Sequence, residues 1–226
     1  MRRRSGTDGR ASALPAGARP LARRFYARPP DSVARALLGR LIVRETPRGR
    51  LVGRVVEVEA YGGRSDPASH GFRGVTARNR TMFGPPGHAY VYLSYGVHHC
   101  LNVVTGGRGR SSAVLIRSLE PVAGLDRMAR RRGLADPHRL ARGPGCVGKA
   151  LGLTRAHDGI DLTRGPLWLA DLPPRRGGRR IARTPRIGIT RGIDRRWRFL
   201  LAGNPCVSGP ARPSPGVGGG RPRRRR

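Results

Sequence analysis

A chain of 226 residues has room for one domain with a proper core, yet its formal net charge of +33, from 46 Lys and Arg against 13 Asp and Glu, opposes compaction unless anions offset it. That balance makes nucleic acid the first expected partner, because phosphate neutralisation releases condensed counterions. The three cysteines, Cys100, Cys146 and Cys206, are odd in number and widely spaced, which argues against a disulfide framework or a zinc ribbon. No apolar run approaches the roughly 18 residues of a membrane span, and the N-terminus lacks a signal-peptide apolar stretch. A reducing, cytoplasmic setting is expected, with association to the nucleoid through DNA. The basic excess is almost all arginine, Lys149 being the single lysine. A GC-rich genome explains arginine over lysine, but not the scarcity of carboxylates.

In chain order, residues 1–21 are expected to form a basic, disordered arm and residues 211–226 a matching tail, leaving a domain over 22–210. SVARALLGRLIV predicts a short helix capped near Asp31 or Ser32, then a strand into LIVRE. RVVEVEAYGG follows with strand alternation: Val56, Val58 and Ala60 on one face, Glu57, Glu59 and Tyr61 on the other. A polar loop runs to about residue 85. HAYVYLSYGVHHCLNVVTG then reads as two β runs turning near Ser94, Tyr95 and Gly96. SAVLIRSLEP is a strand and GLDRMARRR starts a helix. GPGCVGKALGL resembles a glycine-rich loop opening a helix, but without G-K-[ST] or G-x-G-x-x-G it does not support a nucleotide site. PRIGITR and WRFLLAG are expected as closing strands. Strands dominate without βαβ alternation, so the fold class is α+β: a single domain with a largely antiparallel curved sheet, flanking helices and a protruding hairpin.

Few residues offer chemistry. No G-x-S-x-G is present, and the lone lysine is a thin basis for Schiff-base chemistry. His98-His99-Cys100 is set aside as a metal site, because adjacent strand residues point to opposite faces. What remains is a carboxylate beside aromatic groups: Glu59 and Tyr61 on one strand face, His70 in the next loop, and Tyr90, Tyr92 and Tyr95 in the hairpin. Tyrosines also simply favour strands. The functional alternative is that aromatic faces stack on a base while a carboxylate works at its sugar. Glu57 reads as a strand-face partner for an arginine, a surface ion pair adding less than about 1 kcal/mol. Tyr90 reads as packing, and Lys149 as a helix-surface or phosphate contact.

From Glu57 to Arg117 the chain closely resembles the 3-methyladenine (alkyladenine, methylpurine-type) DNA glycosylases. The motifs are VEVEAYGG, D-x-A-S-H from Asp66 to His70, ARNRTMFGPPGHAYVYLSYG, HHCLNVV and VLIRSLEP. The likeness continues more weakly through ARGPGCVGKALGL, PRIGIT and WRFLLAGNPCVS, over about 22–210. The resemblance implies a general base at Glu59 that activates the attacking water. It implies that Tyr61, His70 and Tyr92 sandwich and hydrogen-bond a flipped base, and that Tyr95 wedges into the vacated stack. Asn102 matches the pocket amide that disfavours the exocyclic amino group of guanine, and Arg117 and Val207 match positions near the water. Departures are Cys146, where relatives often carry a basic residue, the glycine-rich GGRGRSS, and added arginines over 174–183.

The expectation is therefore a monofunctional, metal-free and cofactor-free DNA glycosylase of base excision repair, acting as a monomer on double-stranded DNA with damaged purines. Candidate substrates are 3-methyladenine, 7-methylguanine, hypoxanthine and ethenoadenine. No lysine matches a lyase nucleophile, so base release without strand cleavage is expected. The rival is a non-catalytic DNA- or RNA-binding protein using the same basic face. Glu59 separates the two, because a carboxylate facing the phosphate backbone weakens a pure binder.

Overall fold

A computed structural model describes residues 14–15, 17–171 and 180–209. Most of the expected N-terminal arm, the whole C-terminal tail and most of the added arginines of 174–183 lie outside them. The short end of that arm is tied down: β1 (Arg19–Pro20) pairs with β7 (Leu167–Asp171), and Leu21 is buried. One curved sheet of nine strands organises the molecule, and every pairing in it is antiparallel. Its main order is β1, β7, β2 (Leu41–Arg44), β3 (Leu51–Tyr61), β6 (Ser112–Ala123), β5 (His98–Thr105) and β4 (Ala89–Ser94). The far half of β3 also pairs with β9 (Arg198–Leu201), which in turn pairs with β8 (Ile181–Thr184). The fold class is as expected, α+β with a protruding hairpin.

One face of the sheet carries the main core. Val55, Val58 and Ala60 of β3 meet Leu101 and Val103 of β5 and Val114 and Ile116 of β6 there. Over them lie α2 (Pro30–Leu37), α3 (Leu125–Arg132) and α4 (Pro144–Leu151), with a short α1 (Arg23–Tyr26) beside them. Each fully buried Val, Leu or Ile is worth about 1.5–3 kcal/mol, so this layer supplies most of the drive to fold. The glycines of GPGCVGKALGL turn out to lie within α4 as well as before it. A Cβ on Gly148 would overlap the His99 carbonyl oxygen, so the glycine lets the helix rest directly on β5.

Three expectations need correction. Helix α2 starts at Pro30, earlier than Asp31 or Ser32, with no side-chain cap; proline at the first position presets the helical φ and lacks one of the amides a helix start leaves unpaired. PRIGITR is not a strand: β8 ends at Thr184, and residues 185–191 cross over the end of β3. The alternation of β3 is also broken. Val55 pairs with Leu119, Glu57 with Ser118 and Val58 with Ile116, so Val56 is an extra residue in β3 and Arg117 an extra residue in β6. These paired bulges put Val56 with Leu200, Cys206 and Val207, away from the core that holds Val58 and Ala60.

Candidate active site

The opposite sheet face holds most of the candidate residues. Strand register sets Arg198, Glu59, Leu115, Asn102 and Tyr90 in one row across β9, β3, β6, β5 and β4. Successive strand residues alternate between faces, so Glu59 and Tyr61 share this side, as do Tyr90 and Tyr92. Glu59 is fully buried. Its Oε2 accepts from the Tyr61 hydroxyl at 2.8 Å, and its Oε1 accepts from the Ile187 backbone N–H at 2.8 Å and faces Arg117 Nη1 at 3.2 Å. Burial, followed by the Glu59 charge, pushes the Tyr61 phenol well above its ordinary range, so it remains a donor to Glu59.

Across from this pair stand His70 and the hairpin tyrosines. Tyr90 and Tyr92 stack at 5.4 Å between ring centroids, and His70 meets Tyr92 edge-on at 4.6 Å. His70 Nδ1 shares a 3.1 Å hydrogen bond with the buried Tyr90 hydroxyl, so Tyr90 both packs and orients the imidazole. Desolvation by these rings, then the Arg78 charge, pushes His70 below its usual value, which keeps the imidazole neutral. The loop is held by Asn79, which is buried and donates to the carbonyls of His70 and Gly74. A recess of about 380 Å³ opens beside His70 and Tyr90, rimmed by Arg73, Arg78 and Arg191; neither Glu59 nor Tyr61 lines it.

Asn102 is buried in the same row and donates to the Tyr90 carbonyl at 3.2 Å. Val207 is buried next to Ser208, whose hydroxyl lies 3.4 Å from Arg117 Nη2. Tyr95 stands apart. It is 93% exposed at the tip of the β4–β5 hairpin, between the exposed Leu93 and Val97. Tyr95 and Gly96 have φ of 48° and 72°, and the Val97 N–H donates to the Ser94 carbonyl, which makes a type I′ turn. Lys149 is exposed on α4, on the helical side of the sheet.

Glu57 is not the surface ion pair expected of it. It is fully buried, bonded to Arg117 Nε at 3.0 Å and Arg198 Nε at 2.7 Å. Burial would raise its carboxyl, but Arg117, Arg198 and the Ser208 amide hold it below the usual carboxylate range. Sequence reasoning also missed Asp66 and Arg186. Both are buried, joined by two hydrogen bonds of 2.5 and 2.8 Å, and the guanidinium lies 4.8 Å from the Tyr61 ring centroid. One signal was available. In a chain with 13 acids, Glu57, Glu59 and Asp66 fall within ten residues of one another.

Buried carboxylate, phenol and guanidinium beside an aromatic cluster with one rim open can hold a planar electron-poor ring and act at an atom next to it. A family model for methylpurine-DNA glycosylase matches residues 24–205. Curated relatives named "Putative 3-methyladenine DNA glycosylase" are similar over most of their length. One from Methanoculleus marisnigri is 51% identical over 186 residues, 81% of this chain and 96% of its own. One from Frankia casuarinae is 50% identical over 207 residues, 87% of this chain and 96% of its own. A third, from Chlorobaculum tepidum, is 45% identical over 188 residues, covering 81% and 88%. With most of its length inside that match, including every candidate site residue from Glu59 to Arg117, the chain belongs to the methylpurine-DNA glycosylase family.

Proposed function

We propose that the protein is a monofunctional DNA glycosylase of base excision repair that flips damaged purines from duplex DNA and hydrolyses the N-glycosidic bond. The observation that carries this reading is Glu59, a buried carboxylate at the aromatic cluster of a protein otherwise suited to a polyanion. The flipped base is taken between Tyr61 on one side and His70 and Tyr92 on the other. A cation over an aromatic ring gains about 0.5–2 kcal/mol, so bases alkylated at N3 or N7, such as 3-methyladenine and 7-methylguanine, are favoured. Flipping costs a few kcal/mol and least at damaged or mispaired sites, which selects lesions before chemistry and extends to hypoxanthine and ethenoadenine. Tyr95 fills the gap in the stack, as side-chain wedges do. Asn102 disfavours guanine.

Glu59 takes a proton from water as the oxygen attacks C1′, and its charge stabilises the oxocarbenium character of the sugar. The glycosidic electrons leave with the purine, and an alkylated purine already carries the positive charge that makes it a good leaving group. Arg117 and Val207 border the water. The lone lysine is on the other side of the sheet, which supports base release without a Schiff base and hence without strand cleavage. The test is excess enzyme on duplex DNA carrying one alkylated adenine or one ethenoadenine. Wild type releases the base and Glu59→Gln loses at least about 100-fold, the low end for a general base. No release by wild type would sink the enzyme reading, while a fully active Glu59→Gln would sink only the role of Glu59.

A further inference from the structure

Five hydrogen bonds converge on Glu57, a residue with no part in the chemistry above. Oε1 accepts from Arg117 Nε (3.0 Å), Arg198 Nε (2.7 Å) and Ser208 Oγ (3.0 Å); Oε2 accepts from Ser118 Oγ (2.8 Å) and the Ser208 N–H (2.6 Å). Arg117 is the extra residue of the β6 bulge, so the sheet ladder does not aim it. Its guanidinium spans both glutamates, with Nε on Glu57 Oε1 and Nη1 3.2 Å from Glu59 Oε1. Arg198 brings a second positive charge, and is held by Thr184 Oγ1 and the Ser208 carbonyl. Two buried acids and two buried arginines thus form a balanced set, in which one carboxylate is closed off by donors and the other reaches the aromatic cluster.

We propose that Glu57 is a positioning residue for base excision: it fixes the guanidinium plane of Arg117, and Arg117 fixes Glu59 Oε1. This rests on the reading of Glu59 as the group that activates water. Only a carboxylate fits at position 57. A glutamine would turn its amide nitrogen toward either the two arginines or the Ser208 N–H, donor against donor. An aspartate keeps the charge but falls one methylene short of Arg117. A misplacement near 1 Å at a reacting group costs about 100-fold in rate.

A double-mutant cycle separates positioning from a plain core ion pair. Single-turnover excision of ethenoadenine is measured for wild type, Glu57→Gln, Arg117→Gln and the double variant. Binding is measured on duplex DNA carrying a 2′-fluoro ethenoadenosine, which resists cleavage. Glu57→Gln lowers the excision rate about 100-fold while lesion binding changes less than about threefold, and the double variant is no slower than the slower single variant. A double loss equal to the product of the single losses, or an undiminished rate in Glu57→Gln, overturns the proposal. Where Glu57→Gln does not fold, Glu57→Asp carries the same cycle; recovery of the wild-type rate by aspartate then overturns it. Wild-type inactivity on every lesion overturns the glycosylase reading along with it, whereas wild-type excision with additive losses removes only the role of Glu57.

Discussion

Tyr61 owes its place to a buried ion pair behind it. Arg186 is held by Asp66, by the Ala60 and Gly192 carbonyls, and by the rings of Tyr61 and Trp197 at 4.8 and 5.7 Å. Removing one partner of a buried pair strands the other charge. Asp66→Asn is therefore expected to cost about 3–5 kcal/mol in urea unfolding. Burial alone would raise the Asp66 carboxyl, but Arg186 and the Gly62 and Ala68 amides hold it below its ordinary value, and Glu57 is lowered in the same sense. On unfolding both return to about 4, so the unfolded chain binds protons first as the pH falls. The stability that these carboxylates contribute is complete above that value and is lost as the pH drops through the lowered folded values. Unfolding free energy measured from pH 7 to pH 3 should therefore fall less steeply in Asp66→Asn than in wild type.

At the scale of elements, the wedge proposed for the β4–β5 hairpin sets function against stability. Tyr95 sits at φ 48°, a left-handed conformation that costs a residue with a Cβ about 1–2 kcal/mol. Tyr95→Gly relieves that strain, and thermal unfolding should show the variant at least as stable as wild type, by up to about 1 kcal/mol after the greater entropy of glycine in the unfolded chain. The same change removes the proposed wedge. Lesion binding and excision should therefore fall while salt-sensitive binding to undamaged duplex stays nearly intact, and equal loss on both DNAs would count against the wedge. Turn chemistry and alternation made this hairpin readable from sequence, because its register depends only on neighbours. The crossing at 185–191 was not readable. PRIGITR has strand composition, but Arg186 is drawn inward by Asp66 and the Ile187 amide by Glu59, partners more than 100 residues away in the chain. The bulges at Val56 and Arg117 were equally hidden, since Val56 is apolar and continues the pattern of Val58 and Ala60 although it packs in a different cluster.

For the molecule as a whole, the arginines enclosed in the site are distinct from those left for phosphate. Glu57, Glu59 and Asp66 are buried with Arg117, Arg186 and Arg198, so these three arginines are neutralised internally and unavailable to phosphate. The chain's charge of +33 already includes those pairs, and the unpaired excess must act from elsewhere. Sequence could identify the polyanion partner because net charge needs no fold, but it could not say which arginines had been spent on the site. Residues 211–226 contribute six arginines and no acid to the excess. In the glycosylase reading this segment strengthens the grip on any duplex and plays no part in the chemistry. Each phosphate contact adds about 0.9 to the magnitude of the slope of log K against log salt concentration. Deleting 211–226 should lower that magnitude by several units on undamaged duplex. The single-turnover excision rate at low salt, with enzyme in excess over DNA, should remain at the wild-type value, since Tyr61, Ile187 and Arg117 already engage both Glu59 oxygens among the described residues. A fall in that rate at saturating enzyme would mean that the segment reaches the site, and an unchanged slope would mean that it does not touch phosphate.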